Sequence, residues 1–157
     1  MNVGDEIDQL RQDIQALVSH GADAVAMELA ATDRLYLMQL DPINEAACPL
    51  TLRVEQDYAF VGLPFGAPLE FVFSESTWAS ARQSVLGCIA AVVRGNVTIE
   101  TTSCWIGRDR ITTRLTTDAG EESVTSGPLL PCIARTRSAR QFEPYARRRR
   151  NEECESE

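Results

Sequence analysis

Only two stretches of this 157-residue chain repeat apolar residues with helical spacing, and most of the rest alternates as strands do. That order of a helix, a run of strands, a second helix and more strands constrains the fold more than any motif. Over residues 5–18, Ile7, Leu10, Ile14, Leu17 and Val18 recur so as to share one helix face. Asp5, Glu6 and Asp8 stand at its start, where the helix dipole favours negative charge, and Gly21 follows its end. Over residues 75–94, Trp78, Ala81, Val85, Ile89, Val92 and Val93 form a buried stripe that Leu86 and Cys88 widen. Ser74 is placed to cap this central helix and Gly95 to end it.

Strands are expected over residues 24–30, 34–40, 50–55, 58–63 and 69–73, then over 97–105, 110–117 and 122–126. In the first, Val25, Met27 and Leu29 fall on one side, Ala26 and Glu28 on the other. In the third, Leu50, Leu52 and Val54 alternate with Thr51, Arg53 and Glu55. Turns fall at Ala31-Thr32-Asp33, Gly107-Arg108-Asp109 and Asp118-Ala119-Gly120, and Pro64 and Pro68 bracket a loop. Two helices cannot cover both faces of so large a sheet. The expected fold is therefore α+β, a mostly antiparallel sheet of six or more strands with two helices packed on one face. Residues 1–134 read as one domain, with 128–134 a short strand or an ordered arm. Residues 135–157 read as an Arg-rich and then acidic arm, flexible from about 144, because little apolar content offsets the ordering entropy.

The open face of that sheet should carry the polar phase of its strands: Glu28, Thr51, Arg53, Glu55, Glu70, Thr98 and Glu100, with Tyr36 and Tyr58 among them. The charge is uneven. Residues 1–75 hold 13 acids and 3 Arg, residues 76–134 balance, and residues 135–150 hold 7 Arg and 1 acid, within a net charge of −8. An acidic first half steers a basic partner and repels nucleic acid.

The chain contains no Lys and one His, His20. Schiff-base lysines, P-loops and HExxH zinc helices are excluded. His20 follows the last turn of the first helix, where a cation suits the dipole. Glu55 with Asp57, or Glu28 with Glu100, are candidate acid–base pairs, and a solvated face explains them equally. Five Cys without ligand spacing point to reduced thiols, with Cys88 and Cys104 in the core, and to no bound metal or cofactor. The N-terminus, MNVGDEIDQL, is too polar for a signal peptide, and no apolar run is long enough to span a bilayer, so a cytoplasmic location and no membrane partner are expected.

In its element order and acidity the chain resembles, at the level of class, secretion chaperones and the immunity proteins that neutralise bacterial toxins. The resulting expectation is a non-catalytic domain, monomeric or homodimeric, that binds a basic protein partner through Glu28, Arg53, Glu55, Glu70 and Glu100. The alternative is a small-molecule binder or enzyme with a pocket between sheet and helices, lined by Trp78, Trp105 and Phe71.

Overall fold

The computed structural model describes residues 3–19, 24–32, 34–74, 76–105, 107–127 and 133–146. The expectation for His20 lies outside them. Among the described residues the chain forms α1 (Val3–Ser19), β1 (Ala24–Ala31), β2 (Leu35–Pro42), β3 (Leu50–Glu55), β4 (Tyr58–Gly62), β5 (Leu69–Val72), α2 (Trp78–Val93), β6 (Val97–Cys104), β7 (Arg110–Thr117), β8 (Gly120–Ser126) and β9 (Ala134–Gln141). The α+β class and the element order are as expected. No helix is long and apolar enough to cross a membrane among these residues.

The strands divide between two antiparallel sheets, β1-β2-β3-β4-β5 and β8-β7-β6-β9. The reason lies in α2. It buries Trp78, Val85, Cys88, Ile89 and Val92 along one broad face, and Ala91 with the partly buried Leu86 and Val93 extends the apolar surface to either side of it. A helix apolar on more than one side needs cover on more than one side. It packs against β4 and β5 of the first sheet, β7 of the second, and α1. One hydrophobic core therefore joins Leu52, Val54 and Val61 of the first sheet to Val97, Ile99 and Leu115 of the second. The loop between β4 and β5 also reaches across, where Phe65 O accepts a 3.3 Å hydrogen bond from the buried Thr113 hydroxyl.

Helix α2 begins later than its periodicity suggests. Ser74 does not cap it. The Ser74 carbonyl accepts from the amides of Thr77 (3.0 Å) and Trp78 (2.9 Å), and Thr77 Oγ1 accepts from the Ser74 amide (3.0 Å). A turn forms there, and Thr77 becomes the N-cap residue.

Three sequence-based placements are corrected. Tyr36, expected on the open face, lies in the core beside Met38 and Leu40 because β2 sets these three toward the helices. In β1, Ala26 and Glu28 pair opposite Leu40 and Met38, which puts Glu28 on the helix-bearing side and Val25 and Met27 on the open side. Cys104 is only part-buried and is disulfide-bonded, whereas Cys48 and Cys88 are buried free thiols.

Residues 134–145, which include the first arginines of the Arg-rich segment, are also part of the fold. β9 pairs along β6 from Thr98↔Gln141 to Cys104↔Ala134. Beyond it, Phe142 and Tyr145 are buried. The Tyr145 hydroxyl donates to Cys48 O at 2.6 Å, its amide donates to Val93 O at 2.9 Å, and the Glu143 amide donates to Ala46 O at 3.1 Å. Gly95 makes room for this passage: its φ is +76°, and a Cβ there would stand 2.6 Å from the Glu143 carbonyl carbon. Both observations exclude a side chain.

Candidate functional site

The five-stranded sheet has one face on the core and one left open, and strand alternation decides which side chains reach the open face. Leu52, Val54, Ala59 and Val61 turn inward and are fully buried. Their neighbours turn outward. The pairings Leu37↔Arg53, Arg53↔Phe60 and Phe60↔Glu70 set these four residues in one row across β2, β3, β4 and β5. Beside that row, Tyr58 pairs with Val72 and stacks on Phe60, with ring centroids 6.2 Å apart. Met27 and Val25 of β1 continue the face past Gln39 and Asp41.

The charges on this face are mostly carboxylates. Arg53 forms an ion pair with Glu55 on the same strand. Two residues apart on a strand means the same side of the sheet, so the pair lies along the surface. Asp41 accepts from Gln39 Nε2 at 2.9 and 3.1 Å. Glu70 is exposed and has no ion-pair partner among the described residues. The face thus offers an aromatic and aliphatic floor with surplus negative charge at its margins.

Of the five residues expected to bind a partner, Arg53, Glu55 and Glu70 share this face. Glu28 and Glu100 do not. Glu28 lies on the opposite side of β1, held by Arg11 of α1 through two hydrogen bonds of 2.8 Å. Glu100 belongs to the other sheet, 3.5 Å from Arg114, which also donates to Glu121. Those two carboxylates push the Arg114 pKa up, the hydrogen bond that Arg114 donates to Glu121 contributing most. Glu28 and Glu100 are therefore not brought together as an acid–base pair. Phe60 and Val72 were missed by sequence reasoning. The signal for Phe60 was its position two residues from Tyr58, which places both rings on one side.

The residues of the alternative reading are dispersed. Trp78 is buried against Phe73, ring centroids 4.3 Å apart. Trp105 is 68 % exposed at the end of β6, with the Arg135 guanidinium 5.5 Å over its ring. Phe71 faces inward and packs against the core. A surface hollow of about 810 Å³ lies instead where residues 141–146 pass α2. Its charged lining is already engaged, Arg94 by Asp118 and Glu143 by Asn44. Among the described residues, no three His, Cys, Asp or Glu side chains gather as a metal site would require.

Comparison with protein-family models, with curated proteins and with solved structures finds no match.

Proposed function

We propose that this chain is a non-catalytic binding domain for a basic protein partner, acting as immunity proteins and small chaperones do, and that it docks through the open face of the five-stranded sheet. The observation that carries this reading is the row Leu37–Arg53–Phe60–Glu70 with the Tyr58 ring beside it. Apolar rings exposed in a cluster signal a contact surface, and aromatic anchors ringed by polar groups are the usual anatomy of one. The only basic group in the row, Arg53, is taken up by Glu55. The remaining charge attracts a partner carrying Lys or Arg. Long-range attraction of this kind raises association rates and weakens with salt.

The test uses a Lys- and Arg-containing peptide with apolar residues at alternate positions, titrated against the full chain. Binding is expected and should weaken as salt rises. The double reversal Glu55→Arg with Glu70→Arg should weaken it by about tenfold or more. Glu100→Arg, on the other sheet, should leave it unchanged. Equal binding by the double variant, or no binding by the native chain, removes the reading.

A further inference from the structure

The outer strands of the two sheets are not guarded alike. Such a strand leaves one row of backbone N–H and C=O groups unpaired, and proteins blunt it with shortness, charge or a bulge. β5 is four residues long, β8 carries Glu121 and Glu122, and β9 carries Arg135, Arg137 and Arg140. β1 runs for eight residues, AVAMELAA, with a single charged side chain. That charge is cancelled within the chain, because Arg11 clasps the Glu28 carboxylate. Val25, Met27 and Leu29 are 55, 42 and 55 % exposed. β1 does carry one bulge-like guard, a register shift between Glu28 and Ala30 after which pairing resumes at Ala30↔Leu37, but it lies past residues 24–28, where the pairing with β2 is regular and residues 24–27 are apolar.

We propose that this edge joins two copies of the chain, β1 pairing antiparallel with β1 of the second copy about a two-fold axis near Ala26. The residues around the axis select a second copy over other occupants. Stepping outward from Ala26, the strand shows Val25 and Met27, then Ala24 and Glu28. Two-fold pairing therefore sets Val25 against the second copy's Met27 on the open side. On the helix side it sets Ala24 against the second copy's Glu28. Large apolar groups meet each other, a small residue meets the clasped carboxylate, and no like charges are opposed. Two chains of net charge −8 repel, so a contact between copies belongs where charge is absent, and residues 24–27 carry none. A charged foreign strand would find no free charge on this edge to recognise. The product is one continuous sheet of twice five strands, with both Arg53–Phe60–Glu70 rows on the same side. The pairing does not depend on what binds that face.

Sedimentation of the full chain across the micromolar range tests this. A dimer is expected. Val25→Lys with Met27→Lys places four like charges along the seam and should weaken association roughly a hundredfold. Both positions are exposed, so far-UV circular dichroism should stay unchanged. Val72→Lys, exposed on β5, should keep the dimer. Amide exchange at residues 24–28 should slow as concentration rises. A monomer at every concentration, or a dimer indifferent to the double substitution, overturns the proposal.

Discussion

Cys48 and Cys88 show what burial does to single groups. The fold removes both thiols from water, and burial pushes each from 9.0 up to about 12, with the Arg140 charge opposing the rise at Cys48 and the Glu122 charge adding to it at Cys88. The Tyr145 hydroxyl is raised too, first by burial and then by Cys48 and Asp41. In each case the folded state holds its proton more tightly than the unfolded chain. The unfolded chain gives up thiol protons near 9.0, so the fold's advantage is complete below that pH and is lost as pH climbs toward about 12. Denaturant midpoints attributable to these groups should hold steady below pH 9.0 and fall above it. Cys48→Ala with Cys88→Ala should make that fall shallower. An identical alkaline slope in the double variant would show that these thiols do not set it.

At the scale of elements, β9 is the test of how an edge is protected. All its described side chains are exposed, so its place rests on the backbone ladder to β6 rather than on burial. Its arginines are then guards against pairing with another molecule. Arg135→Thr with Arg137→Thr should preserve the fold yet produce concentration-dependent species larger than a dimer, seen as a rise in static light scattering. Scattering that matches the native chain at all concentrations would deny the arginines this role. The same strand explains a limit of sequence reading: ARTRSARQ has no apolar period, so nothing local marks it as a strand. β3 was legible in full, because a central strand with one buried face must alternate, and Leu50, Leu52 and Val54 do. Arg53, Glu55 and Glu70 were legible for the same reason. β1 was read with the wrong side inward. Alternation shows that a strand has two sides but not which faces the core, and the contact that settles Glu28, with Arg11 of α1, belongs to tertiary structure.

The whole molecule is held as one body by α2 and by the segment after β9. Neither the division into two sheets nor the seating of Tyr145 could be read locally, since both join residues distant in sequence. Tyr145 reaches Cys48 O in the β2–β3 loop and Val93 O at the end of α2, while the Phe142 amide donates to Val97 O at the start of β6. Asn44 adds a bond to Glu143 Oε2 at 3.1 Å and one to Pro144 O at 3.2 Å. The first sheet, the helix and the second sheet thus meet on a few residues, beside the buried Cys48. Tyr145→Phe keeps the packing and loses one buried hydrogen bond, which should cost about 1 kcal/mol. Tyr145→Ala leaves a cavity as well and should cost about 3–5 kcal/mol. Because both sheets share one core, fluorescence and far-UV circular dichroism should report a single transition in the native chain and in Tyr145→Phe. In Tyr145→Ala, Cys48 should become alkylated well before Cys88, as read by peptide mass mapping, because Tyr145 is hydrogen-bonded to Cys48 and not to Cys88. Equal labelling of the two thiols at native temperature would mean that Tyr145 stabilises the fold as a whole without closing this particular seam.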